Sequence, residues 1–185
     1  MKLSILIPTL TRRAHLFERI YGALSKQAEG QDVEILHLLD SGQMSIGDKR
    51  NTLLFMARGE FSCFVDDDDM VAGTYVGRIL KAIEAVPDAD CVGMAGIITS
   101  GRIQRKFIHS IQCSDYTEGK GVYYRPPNHL NPIRTEISRQ FRFPAINMGE
   151  DTDWAMQISR SGALTKEAEI EEALYFYTYV ANKQY

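Results

Sequence analysis

Two acidic clusters, one basic pair and one loop histidine carry the residue types that could do chemistry in this chain. Asp66-Asp67-Asp68-Asp69 sets four carboxylates side by side, and Glu150-Asp151 sets two more. Adjacent negative charges repel, so a counter-ion should offset them, and hard cations such as Mg²⁺ or Mn²⁺ prefer carboxylate oxygens. The plainer reading of the first cluster is a solvated turn whose last Asp caps a helix starting near Val71. On these residues alone both readings stand. Glu150-Asp151 fits a helix N-terminus, where carboxylates are ordinary stabilisers, or a general base held close to an attacking hydroxyl. Lys49-Arg50 falls in the first turns of an expected helix, where cations gain nothing from the dipole. A phosphate at that terminus would account for the basic pair and for Gly47; an exposed pair on an amphipathic helix would account for the pair as well. His129, in Pro126-Pro127-Asn128-His129-Leu130, is open to a packing or a ligand role.

The elements that must position these groups follow from the apolar periodicity. Leu3–Ile7, Val33–Leu39 and the run from Phe61 to Val65 read as buried strands. A helix from about Arg12 to Ala28, capped by Thr11, and another from about Ile46 to Arg58 fall between them. This β-α-β-α-β order with short connections is the pattern of a parallel, doubly wound sheet. Thr9, Asp40 and Asp66 then stand at strand ends along one edge, the edge where such sheets bind ligands. A third helix, about Val71 to Val86, leads to a strand over Cys91–Thr99. The turn Ser100-Gly101 makes an antiparallel hairpin with Ile103–Ile111. A loop covers Ser114 to Pro132, and Ile133–Phe143 is ambiguous between strand and helix. Gly149-Glu150-Asp151-Thr152 opens a short helix, and Leu174–Val180 is a last aromatic strand whose tyrosines read as packing.

Composition sets the bounds. At 185 residues the chain is long enough for one domain with a sizeable core. A net charge of −3 is too small for a polyanion-binding surface. Cys63, Cys91 and Cys113 are widely spaced in apolar runs and read as reduced core residues. The apolar run after Lys2 is too short for a secretory leader, and no run approaches a membrane span, so a soluble, cytoplasmic protein is expected.

The ordered set Ser45-Ile46-Gly47-Asp48-Lys49-Arg50-Asn51, Ala57-Arg58-Gly59-Glu60-Phe61 and Phe64-Val65-Asp66-Asp67-Asp68-Asp69 resembles the nucleotide-binding half of family 2 glycosyltransferases. Asn128-His129-Leu130-Asn131-Pro132-Ile133, Gly149-Glu150-Asp151 and Leu174-Tyr175-Phe176-Tyr177 are similar to later segments of that group, most nearly its compact phage and large-virus members. The resemblance implies a GT-A fold: an α/β, Rossmann-like three-layer sandwich with a mixed, mostly parallel central sheet. It implies one domain over residues 1–185, with a nucleotide-sugar half over 1–99 and an acceptor and catalytic half over 100–185.

Carried over where the motifs match, Asp40 would contact the nucleobase, with Thr9 and His129 also on the nucleotide-sugar side. Arg50, with Lys49 nearby, would face the base or diphosphate. Asp66 and Asp68 match the outer positions of the Asp-X-Asp motif, with Asp67 between them. Asp66 would touch the ribose or the metal, Asp68 would hold Mn²⁺ or Mg²⁺, and Asp69 would assist. Asp151 would be the catalytic base, with Glu150 beside it. The late histidine that many GT-A enzymes supply to the metal has no counterpart after His129.

The implied activity is inverting, metal-dependent transfer from a nucleotide sugar, UDP-linked by default, to a hydroxyl of a glycan, lipid, protein or modified nucleobase. Homo-oligomerisation is left open, and a phage or viral member would work in the host cytoplasm. One alternative is a sugar-nucleotide nucleotidyltransferase, although Pro8-Thr9-Leu10-Thr11-Arg12-Arg13 stands where that class carries a Gly-rich loop. Another is a non-catalytic nucleotide-sugar or glycan binder.

Overall fold

Strand β1 (Leu3–Leu10) is buried along nearly its whole length, as an apolar run with parallel neighbours on both sides must be. Those neighbours are β2 (Val33–Asp40) and β3 (Phe61–Phe64), both parallel to it. The computed structural model describes residues 1–179. Helices α1 (Ala14–Ala28) and α2 (Ile46–Met56) make the two crossovers, and α3 (Tyr75–Ala85) follows β3. The side chains of β1 and β3 divide between two cores, as the pleat requires. Leu3, Ile5, Phe61 and Cys63 pack with α1 and α3 on one face. Leu6 and Phe64 pack on the other with α2, α4 (Thr135–Ser138) and α5 (Glu150–Ser161). The result is a three-layer α/β/α sandwich.

The sheet continues through β9 (Ile133–Arg134), β5 (Cys91–Ser100), β6 (Ile103–His109), β8 (Val122–Arg125) and β7 (Thr117–Gly119). β5 and β6 form the expected antiparallel hairpin about Gly101, which takes a left-handed φ of 59°. β10 (Glu167–Tyr179) runs parallel to β5 and is antiparallel to the short β4 (Met70–Val71). Most paired residues are in parallel register, so the sheet is mixed and mostly parallel.

Several boundaries differ from the sequence expectation. Thr11 does not cap α1; Thr11–Arg13 is a 3-10 turn, and Thr11 Oγ1 donates to the Asp40 carbonyl at 3.1 Å. The third helix starts at Tyr75 because Met70-Val71 is drawn into pairing with Tyr175 and Phe176. The Ser114–Pro132 loop contains the β7–β8 hairpin, and Ile133–Phe143 divides into β9, α4 and a turn. The last strand begins at Glu167, and the expected end at Val180 lies outside the described residues. No helix among the described residues is long and apolar enough to cross a membrane.

Candidate active site

The carboxyl ends of β1, β2 and β3 lie side by side, with Leu10 paired to Asp40 and Leu6 to Phe64. A cleft of about 400 Å³ opens there, within the usual range for small-molecule sites. Its walls are the loop after β1, the start of α2, Asp66–Asp68 and, opposite, Asn147–Thr152 at the head of α5.

Asp40 ends β2 and accepts from the backbone N–H of Gly42 at 3.1 Å and of Met44 at 2.8 Å. It is also paired with Lys49. Burial opposes its charge, but Lys49 and the two N–H donors outweigh that and hold it below the usual carboxylate range. Lys49 is only 2% exposed and donates from Nζ to the Thr9 carbonyl at 2.7 Å. The reading of Lys49-Arg50 as an exposed pair therefore fails.

So does the phosphate at the α2 terminus, because the protein already occupies it. Ile46 N donates to Asn147 Oδ1 at 3.0 Å, Gly47 N to the Ile146 carbonyl at 3.2 Å and Asp48 N to Ser45 Oγ at 3.1 Å. These are the donors an anion would need. Gly47 serves close packing: a Cβ there would sit 1.8 Å from the Pro144 carbonyl oxygen.

Arg50 is 3% exposed and lies against the rings of Phe64 and Phe143. Its Nη2 donates to Asp66 Oδ1 at 2.9 Å and its Nε to Glu150 Oε1 at 3.2 Å. Burial opposes ionisation of Asp66, but Arg50, with His129, holds it far below the usual range. About a third of the Asp66 side chain stays open to the cleft.

The remaining aspartates face different ways. Asp67 accepts from Thr9 Oγ1 at 2.7 Å, and Arg13 Nη2 bridges Asp67 at 2.6 Å and Asp68 at 2.8 Å. Burial pushes the Asp67 carboxyl up despite these partners. Asp66 and Asp68 line the cleft. Asp69 is buried and accepts from Tyr175 Oη at 2.8 Å, while that hydroxyl accepts from Asp66 N at 3.1 Å. It therefore does not cap the helix after it. Arg13 and Tyr175 are the residues that sequence reasoning missed. Arg13 stood in a basic pair with nothing to say which acid it would meet, and Tyr175 in an aromatic strand that read as core.

Across the cleft, Gly149 takes a left-handed φ of 83° and turns the chain into α5. Glu150 in the first turn is buried on Arg50, whereas Asp151 opens on the cleft. His129 lies between the two sides: Nε2 is 3.6 Å from Asp66 Oδ2 and Nδ1 is 3.5 Å from Asp151 Oδ2.

Among the described residues no three His, Cys, Asp or Glu side chains form a ready metal cage. The donor set nevertheless suits a cation shared with substrate. Mg²⁺-type sites take one or two carboxylates and complete their shell with phosphate oxygens and water, and Asp66 and Asp68 are two carboxylates at the cleft. Arg13 would have to yield Asp68 to such an ion. Asp69, turned onto Tyr175, is poorly placed to help.

Neither a protein-family model nor a curated protein matches the chain. Solved structures do. TarS of S. aureus, residues 1–349 in complex with UDP-GlcNAc, matches with a TM-score of 0.64 at 16% identity, over 99% of this chain and 60% of that one. The same protein with UDP gives 0.64 and 17%, over 97% and 61%. The mannosyltransferase PcManGT from Pyrobaculum calidifontis, in complex with GDP-Man and Mn²⁺, gives 0.59 and 14%, over 95% and 56%. The fold is GT-A. The chain thus spans about 60% of the length of these structures, and at these identities the likeness is one of architecture. In GT-A terms, the sheet edge carrying Asp40 and Asp66 is the ligand-binding edge of the α/β half.

The buried groups around this GT-A site also set an acid profile. His109 is 1% exposed, with Nδ1 3.0 Å from Asn131 Oδ1, and burial, aided by Arg125, pushes it down to about 3. The unfolded chain binds that proton near pH 6.5 and the folded chain does not, so stability is lost as pH falls from about 6.5. Asp40 and Asp66, held low, add stability above their unfolded value near pH 4 that is lost on going lower. Urea unfolding should therefore show a lower midpoint at pH 5 than at pH 7 and a steeper fall below pH 4. His109→Gln should flatten the upper limb; equal wild-type midpoints at pH 5 and 7 would contradict a neutral buried His109.

Proposed function

We propose that the chain is an inverting, metal-dependent glycosyltransferase that moves a sugar from a nucleotide sugar, UDP-linked by default, to an acceptor hydroxyl. The observation that supports this is the placing of Asp151 across one cleft from Asp40, Asp66 and Asp68 at the ligand-binding edge of a GT-A fold. Fold alone would not carry it. Solved relatives of the fold bind UDP-GlcNAc, UDP and GDP-Man, the last with Mn²⁺.

In this reading residues 1–99 hold the donor and 100–185 face the acceptor. Asp40, oriented by Lys49 and two backbone donors, accepts from the nucleobase. Asp66 and Asp68 hold Mn²⁺ or Mg²⁺ at the diphosphate. Once bound, the cation supplies positive charge against the diphosphate's negative charge. Asp151 receives the acceptor's proton as that oxygen bonds to the anomeric carbon from the face opposite the diphosphate. The bond from the anomeric carbon to the phosphate oxygen breaks, and its electron pair leaves with the nucleoside diphosphate.

A panel of nucleotide sugars with Mn²⁺, scored by hydrolysis and by thermal protection, tests the activity; a panel without any hit would refute it. Asp68→Ala is expected to abolish cation-dependent UDP binding while the fold survives, because the strands that build the edge do not depend on it. Calorimetric titration of UDP with Mn²⁺ checks this, and unchanged affinity would leave Asp68 as a partner of Arg13 alone.

A further inference from the structure

We propose that His129 is a positioning residue that holds the Asp151 carboxylate in line with the donor side of the cleft; this rests on the reading of Asp151 as the base. The ring is 5% exposed, and neither nitrogen makes a hydrogen bond among the described residues. Buried ring nitrogens left in that state are costly, and an apolar side chain would avoid the cost. The cost is accepted at one place: between Asp66, 3.6 Å from Nε2, and Asp151, 3.5 Å from Nδ1. Polar contacts in catalytic sites are often this long before substrate seats and shorten afterwards.

The loop that presents the ring is rigid. Asn128 Oδ1 accepts from Leu130 N, Asn131 Oδ1 accepts from Asn128 N, and Asn131 N donates to the Asn128 carbonyl, each at 3.0 Å. Phe64 N donates to the His129 carbonyl at 2.8 Å, which pins the loop to the end of β3. Asp151, by contrast, is otherwise hydrogen-bonded among the described residues only by its neighbour Thr152, at 3.5 Å.

The contacts form a closed circuit. Arg50 binds Asp66 and Glu150, Glu150 precedes Asp151 on α5, and His129 joins Asp151 back to Asp66. The base and the donor-side carboxylate are thereby braced as one unit. His129 is the member that reaches Asp151.

The two ring nitrogens can be imitated separately. An Asn amide nitrogen falls near the Nδ1 position, toward Asp151, and a Gln amide nitrogen near Nε2, toward Asp66. His129→Ala is expected to lower kcat by about 100-fold, the scale of a catalytic group misplaced by an ångström, with little change in UDP affinity. His129→Asn should recover most of kcat, and His129→Gln should not. A loss of UDP affinity with kcat unchanged would make His129 a donor-binding residue and overturn the proposal, as would Asn and Gln variants equally impaired in step with Tm. The Tm shifts of His129→Ala and Asp151→Ala should also be non-additive, and additive shifts would overturn the coupling. A wild-type chain that turns over no nucleotide sugar would refute the transferase reading, and this thermal cycle would still decide whether the two residues act together.

Discussion

Replacing Asp151 by Asn is expected to cut sugar transfer by about 10²–10⁴-fold, the range of a general base, with UDP affinity and Tm close to wild type. Asn keeps the size of the side chain and can still accept hydrogen bonds at the head of α5, but it cannot take a proton. The donor is held elsewhere, at Asp40 and at Asp66 with Asp68, so its affinity should not follow the rate. Asp151 opens on the cleft while Glu150 is buried on Arg50, so Glu150→Gln should act through stability more than through the chemical step. Transfer rates for both variants, with UDP titrated in parallel, check this. Wild-type transfer by Asp151→Asn would place the base elsewhere.

Arg50→Ala is expected to lower unfolding free energy by about 3–5 kcal/mol, the cost of stranding buried charges. That is a large part of a typical domain's margin of about 5–15 kcal/mol. From the sequence, Arg50 stood as a nucleotide contact; in the fold it is 3% exposed and spends itself on Asp66 and Glu150. Removing it leaves two carboxylates facing each other and empties space between Phe64 and Phe143. The lower end of the range is favoured, since a third of Asp66 remains solvated. Arg50→Lys should recover part of the loss, because an ammonium cannot reach both acids with a planar fork. Urea unfolding at pH 7 measures the effect, and the deficit should shrink below about pH 4, where carboxylates protonate without a cation beside them. A variant as stable as wild type would return Arg50 to a ligand-binding role.

What the sequence determined by itself is local. Apolar runs at strand spacing, helices between them and carboxylates at strand ends are properties of short windows. They suffice for the three-layer order and for placing Asp40 and Asp66 at one edge. Gly47 and Lys49-Arg50 were visible too, but their reason was not. Which acid meets which base depends on residues far apart in the chain: Arg50 with Glu150, Lys49 with the Thr9 carbonyl, Thr9 with Asp67. The same holds for the four aspartates, alike in sequence and unlike in surroundings. Asp69 turns inward because Tyr175, more than a hundred residues later, crosses β4 and offers its hydroxyl. Gly47 is required because the Pro144 backbone passes where a Cβ would be. Such contacts are set by strand order and by the packing of α5 and the 126–132 loop over the edge, and short windows of sequence carry no term for either.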